Sequence, residues 1–365
     1  AEDFAGLTGR TIAVVPAASS EVRSGDFILK LGDRDMRLGR EGYRMAVGPA
    51  VEISAIEPAG VFYGTRTLLQ LLHQGSAIAA GEALDWPRYP ERGLMVDVGR
   101  KYFTAGWIKR HIKEMAYLKM NYFHLHFSEN LRFGIESESH PETVSEQHLS
   151  KDEVREIVAL AGRYFITVVP EIGMPGHMGG LLASHPEFQI KDVLGQPSPN
   201  NLDVSNPDAV QFTRELIEEY LPLFPGPYWN TGGDEYLPFY DYPRYPQLEQ
   251  HAQAQYGPGA NGKDAVHGHI NWVADLVSQH GRIARAYNDD LNGGSVVTLN
   301  PDIVVEWWTD FSPVGDLILL PSPQALLDRG HRIMNISYWP TYFSHDGAAG
   351  LQPKPDMATA YQTWE

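Results

Sequence analysis

Asp234 and Glu235 stand side by side after an apolar run that ends in Gly232-Gly233. Carboxyl pairs that cleave a bond lying between them flank it from opposite faces, ~5 to 9.5 Å apart, and usually come from different strands. Neighbours that leave one strand end together suit a different division of labour. One carboxyl protonates a leaving oxygen while the other handles a group that the substrate supplies, a task for which an acetamido group is suited. A like-charged neighbour and partial burial raise the pKa of one member, which helps an acid keep its proton near neutrality. The plainer reading is a Gly-Gly turn followed by a solvated acidic pair. It weakens once the turn is seen to follow an apolar strand in a repeating pattern.

Other strand ends carry the same kind of residue. Asp97 and Arg100 follow one apolar run, and His124-Leu125-His126-Phe127-Ser128-Glu129-Asn130 closes the next. Glu171 and His177 lie in PEIGMPGH, while later ends bring Tyr287-Asn288-Asp289 and Trp307-Trp308-Thr309-Asp310. Carboxylates, one arginine, histidines and stacking aromatics at one mouth suit a neutral, polyhydroxylated ligand. There is no glycine-rich phosphate loop and no serine nucleophile elbow. His124, His126 and His177 could hold a metal, but no acidic residue has zinc-like helical spacing to them. They read as structural or substrate-facing, and neither a metal nor a cofactor is expected.

The elements that must position these residues alternate. Runs at 94–98, 121–127, 166–172, 228–232, 282–287, 303–307 and 332–337 read as strands, with helices at 104–118, 150–164, 207–222, 265–280 and 322–329. Ser150 and Glu153 form the capping box of one helix. Strands alternating with helices imply parallel βα units, and in a parallel barrel the chemistry collects at the C-terminal strand ends. The expected fold class is therefore α/β, a (β/α)₈ TIM barrel over 86–365 preceded by a small α/β domain over 1–85. That first domain reads as strands at Thr11–Val15, Phe27–Leu31 and Val51–Ile56 and a helix at 61–72, and Trp86-Pro87-Arg88-Tyr89-Pro90 is the linker. Seven barrel strands can be counted where a closed barrel needs eight. Either the chain stops before its eighth unit or the count is one short, since LQPKPDMATAYQTWE does not read as a strand-helix pair.

Composition narrows the partners. A formal charge of −17 over 365 residues, with no basic run, argues against nucleic acid. The absence of cysteine excludes disulfides, thiolate metal sites and a cysteine nucleophile. No apolar stretch reaches the ~18 residues of a membrane span, and the N-terminus does not read as a signal peptide.

With these motifs in hand, the sequence resembles glycoside hydrolase family 20, the β-N-acetylhexosaminidases. The resemblance rests on GVFYGTRTLLQLL, RGLMVDVGRKYF, MNYFHLHFSEN, VVPEIGMPGH and NTGGDE, in that order. It implies that Glu235 is the general acid/base and that Asp234 orients the 2-acetamido group, whose oxygen attacks the anomeric carbon to give an oxazolinium intermediate. It further implies that Arg100 binds outer sugar hydroxyls, that Glu129 belongs with it among the substrate-binding residues, and that Glu171 and His177, counted there too, form the third-strand network supporting the dyad. Tyr287, Trp308 and Tyr342 match the aromatic walls and the tyrosine that bonds the acetamido oxygen. The sequence departs from the family at Gly173, where an aspartate is usual, and in the loop 128–134. The SEN loop and LPLFPGPYW resemble the lacto-N-biosidase side of the family, which releases a disaccharide. Exo-hydrolysis of terminal N-acetylhexosamine, release of a disaccharide, and a glycan-binding barrel without turnover are the three readings. The expected partner is an oligosaccharide or glycoconjugate. A secreted setting is expected, although a cytoplasmic one fits the composition equally well.

Overall fold

The computed structural model describes residues 1–16, 21–75, 77–310 and 320–342. Its described residues divide into two compact units. One holds Ala1–Leu94, Gly106–Phe123 and Ala159–Thr167; the other holds Met95–Ala105, His124–Val158 and the described residues from Val168 onward.

A helix, α1 (Glu2–Thr8), leads into a four-stranded sheet of β1 (Phe27–Leu31), β2 (Tyr43–Val47), β3 (Val51–Ala55) and β4 (Gly81–Asp85). Its order is β1-β3-β2-β4, with β1 parallel to β3 and the other pairs antiparallel. Alternate residues of β2 and β3 (Tyr43, Met45, Val51, Ile53 and Ala55) are buried, as one covered sheet face requires, and Tyr63 and Leu68 of α2 (Pro58–Gln74) join them. Gly64 lets that helix lie close, since a Cβ there would meet Ile53 Cγ2 at 2.4 Å. The expected strand at Thr11–Val15 has no regular structure, and β2 and β4 take the places that the sequence pattern left as turns. Val14 and Val15 sit exposed, so their apolar character does not mark a buried strand.

The second sheet contains β5 (Gly93–Asp97), β6 (Tyr122–His126), β7 (Thr167–Met174), β10 (Tyr228–Gly232), β11 (Ile283–Tyr287), β12 (Val304–Trp307) and β13 (Arg332–Asn335). These seven strands lie side by side in chain order, and the pairs from β7 to β13 are parallel. Between them run α3 (Ala105–Tyr117), α4 (Lys151–Arg163), α5 (Gly179–Leu182), α6 (Pro207–Tyr220), α7 (Pro246–Tyr256), α8 (Gly262–Gln279) and α9 (Pro323–Asp328), with α10 (Tyr338–Thr341) after the last strand. A separate hairpin, β8 (Gln189–Lys191) with β9 (Pro197–Leu202), rises from the loop after β7. Helix α7 was not expected from the sequence, and no helix joins β11 to β12 among the described residues. The capping box forms as expected: Glu153 N donates to Ser150 Oγ at 3.1 Å, and Ser150 N donates to Glu153 Oε2 at 3.0 Å. An eighth barrel unit, and the segment LQPKPDMATAYQTWE in which it was sought, fall outside the described residues. No described helix is long and apolar enough to cross a membrane.

Candidate active site

Side chains on a strand alternate faces, so two adjacent carboxyls can share a target only if the backbone stops being a strand. That happens directly after β10. Gly232 and Gly233 have φ of 75° and 79°, and Glu235 has φ of 47°, all in the left-handed region. Gly232 is doubly constrained, because a Cβ there would also stand 2.8 Å from the Gly173 Cα. Three side-chain oxygens hold the coil in place. Gly232 N donates to Asn230 Oδ1 at 2.6 Å, Glu235 N to Asp289 Oδ2 at 3.0 Å, and Tyr236 N to Asp290 Oδ2 at 2.7 Å. Asp290 is in turn paired with buried Lys263.

The consequence is that both carboxyls meet one imidazole. His177 Nε2 lies 2.9 Å from Glu235 Oε2 and 3.4 Å from Asp234 Oδ2. The opposite nitrogen, Nδ1, is 2.5 Å from Glu129 Oε1, and that same oxygen is 2.5 Å from an Arg100 nitrogen. Arg100 closes the chain on Asp97, with a guanidinium nitrogen 2.7 Å from Oδ2 and its backbone N–H donating to Oδ1 at 2.8 Å. Ends of β5, β6, β7 and β10 thus feed one line of alternating charge: Asp97, Arg100, Glu129, His177, then the dyad.

Burial and neighbouring charges compete along this line. For His177 burial disfavours the cation, yet Asp234, Glu129 and Glu235 outweigh it and hold the imidazolium well above its ordinary range. The Glu129 carboxyl resists the upward push of burial because His177 and Arg100 pull it below the usual range. Asp234 is pushed up to about 7, chiefly by burial and then by the neighbouring carboxylates of Glu235 and Glu171, against the pull of His177. Burial and like charge thus act at Asp234 in the direction expected for a member of such a dyad.

A second layer lies beneath. Glu171 is fully buried, and its Oε2 stands 2.7 Å from His124 Nε2 and 2.8 Å from His126 Nδ1 and accepts the Tyr287 hydroxyl at 2.9 Å. Burial would lower His126, but Glu171 and Asp97 raise it to about 9. Glu171 and Tyr287 form this supporting layer, with only 6% of the Tyr287 surface exposed and its hydroxyl engaged by the Glu171 carboxylate. Trp308 stays half-buried, donates its indole N–H to Asp289 Oδ1 at 2.8 Å, and meets Tyr338 edge to face at 6.1 Å. Tyr342 is half-exposed; partial burial raises its phenol, while the charge of Arg100 pulls the other way. Sequence reasoning found Asp289 at its strand end but gave it no role; it fastens both the Glu235 amide and the Trp308 ring. The run Asn288-Asp289-Asp290 at the end of β11 was the available signal. Gly173 leaves room, since a Cβ there would have nothing nearer than 3.8 Å.

Parallel βα units with a carboxyl dyad, a cationic histidine and aromatics gathered at the C-terminal strand ends define a barrel of the glycoside hydrolase type. The chain belongs to glycosyl hydrolase family 20: residues 89–365 match the family's catalytic domain and residues 1–86 its domain 2. It is 34% identical over 339 residues to the lacto-N-biosidase of Bifidobacterium bifidum, covering 91% of this chain and 29% of that protein. Against β-hexosaminidase subunit A1 of Dictyostelium discoideum it is 29% identical over 340 residues, 86% of this chain and 62% of that one. The crystal structure of a β-N-acetylhexosaminidase from Bacteroides fragilis superposes with a TM-score of 0.69 at 27% identity, covering 85% of this chain and 63% of the other. This chain therefore spans less than two thirds of the length of each of these relatives.

Proposed function

We propose that this chain hydrolyses terminal β-linked N-acetylhexosamine with retention, using the acetamido group of the substrate as nucleophile. One observation carries the reading: Asp234 and Glu235 gather on a single nitrogen of His177, an arrangement that favours approach to the sugar from one side over flanking its ring. Glu235 gives its proton to the glycosidic oxygen as the bond to the anomeric carbon breaks. The acetamido oxygen forms the new bond to that carbon, and the N–H of the resulting oxazolinium faces the Asp234 carboxylate, whose negative charge stabilises it. Water then attacks the anomeric carbon, the ring C–O bond opens, and Glu235 takes the water proton. Arg100, held by Asp97 and Glu129, is oriented to offer its remaining N–H groups to sugar hydroxyls.

Hydrolysis of p-nitrophenyl N-acetyl-β-glucosaminide tests this. Glu235→Gln is expected to lose about 10²- to 10⁴-fold in kcat, the usual share of a general acid. Asp234→Asn should fall comparably, and a thiazoline mimic of the cyclised intermediate should inhibit. Full activity of Glu235→Gln, or indifference to the thiazoline, defeats the assignment. A second reading, release of intact lacto-N-biose, is favoured by the likeness to a lacto-N-biosidase across 91% of this chain. Chromatography of products from milk-type oligosaccharides separates a released disaccharide from a released monosaccharide.

A further inference from the structure

Two loops of the second unit carry the same tetrapeptide, Ser139-His140-Pro141-Glu142 after β6 and Ser184-His185-Pro186-Glu187 after β7. In each, the proline opens a short 3₁₀ turn and the histidine precedes it, with φ, ψ of −134°, 61° for His140 and −132°, 62° for His185. The loops bring the two rings together, centroids 5.9 Å apart and planes at 90°. His140 Nδ1 stands 3.2 Å and His185 Nε2 2.8 Å from one oxygen, Glu142 Oε1. A ligand atom from each of the three residues lies within 4.8 Å of the other two. Tetrahedral zinc with bonds of about 2.0 Å sets neighbouring ligand atoms about 3.3 Å apart, so small side-chain shifts would open these contacts to zinc geometry.

The far sides of both rings strengthen the case. His140 Nε2 is 3.0 Å from Glu215 Oε2 on α6, and His185 Nδ1 is 3.1 Å from Glu187 Oε1. An outer carboxylate on the second ring nitrogen is the usual device that fixes the tautomer and orientation of a metal-bound histidine. Phe212 packs against both rings, at 4.6 and 4.9 Å, and Phe188 stacks on His185 at 5.2 Å. Both histidine side chains are mostly buried, at 14% and 17% exposure, whereas Glu142 is 45% exposed and leaves a face open for water. Three carboxylates around two imidazoles carry excess negative charge that a divalent cation offsets. Imidazole ligands select zinc and its transition-metal neighbours over magnesium or calcium.

The geometry points to a divalent transition-metal site, zinc foremost, with His140 Nδ1, His185 Nε2 and Glu142 as protein ligands and water completing the shell. It shares no residue with the dyad. The metal would staple the loop after β6, which supplies Glu129, to the loop after β7, which supplies His177.

Untagged protein stripped with a chelator is titrated with Zn²⁺ by calorimetry and with Co²⁺ by visible absorption. One equivalent is expected to bind, with a tetrahedral cobalt spectrum and a melting temperature that climbs with zinc concentration. His140→Ala and His185→Ala each abolish that spectrum. Glu215→Gln, which meets the proposed site only at the back of His140, weakens zinc binding by about 10- to 100-fold. If an alanine variant fails to fold, the near-isosteric Glu142→Gln must still weaken binding. The proposal is overturned if zinc does not bind at one equivalent, or if the variants that fold bind it as tightly as the unaltered protein.

Discussion

His177→Asn isolates the electrostatics of the site. Asparagine keeps a hydrogen-bonding group near the dyad but removes the imidazolium charge, 3.4 Å from Asp234 Oδ2 and 2.9 Å from Glu235 Oε2. Adjacent carboxyls that share one cation titrate as a unit, and the proposed chemistry needs one proton held between them. Asp234 is pushed up to about 7, so loss of the proton that the pair shares sets an alkaline limb in kcat/KM near neutrality. A unit charge at the Asp234 distance is worth about 5 kcal/mol at an effective dielectric constant of 20 and about 1.2 kcal/mol at 80. Its removal therefore moves the limb upward by about one to three and a half pH units. The sign is fixed: a nearby cation favours the ionised dyad, so deleting it makes the proton harder to remove. Profiles of kcat/KM against pH on an activated aryl glycoside measure the shift. Where turnover is too low, the ¹³C resonance of the Asp234 carboxyl reports the same titration. A limb that stays in place, or moves to lower pH, would refute the account of His177 as the cation governing the dyad.

Gly232→Ala combines a left-handed φ of 75° with a Cβ 2.8 Å from the Gly173 Cα, and urea unfolding should show a loss of at least about 2 kcal/mol. His126 is raised to about 9 in the folded state, so the stability it contributes is full below its unfolded pKa of ~6.5 and is lost as pH climbs through about 9. The difference between unfolding at about pH 6 and about pH 9.5 should approach 3 kcal/mol from this group, and Glu171→Gln should flatten it. Ser150→Ala removes the side-chain acceptor of the Glu153 amide, and denaturant unfolding should register a loss of about 1 kcal/mol.

What the sequence made legible was whatever depends on near neighbours in the chain. The Ser150-Glu153 capping box, the parity that turns His124 and His126 to the same side, and the apolar runs of the barrel strands all follow from local period and chemistry. The β2 and β4 strands escaped notice because their faces are set by pairing with each other and with β3, a long-range fact that leaves little periodic trace at the partly solvated edge strand β4. In the site, the strand-end residues were identifiable by type, but not which of them touch. That Asp289 holds the Glu235 amide 54 residues away, or that Tyr287 is committed to Glu171, depends on the lateral order of strands. The shared imidazole was hidden for another reason: it needs Glu235 itself, not just a glycine, in the left-handed region, and residue type alone does not announce that.

The conformation of Glu235 also bears on how the protein can be improved or degraded. At φ of 47° a glutamate sits where a residue other than glycine pays about 1 to 3 kcal/mol, and glycine and asparagine are more at ease there. Placing either at 235 would remove the acid and relax the turn together, so an inert chain should outlast the working one on heating. Any selection that rewards only heat resistance or expression will therefore drift toward loss of this side chain, and turnover has to be screened alongside.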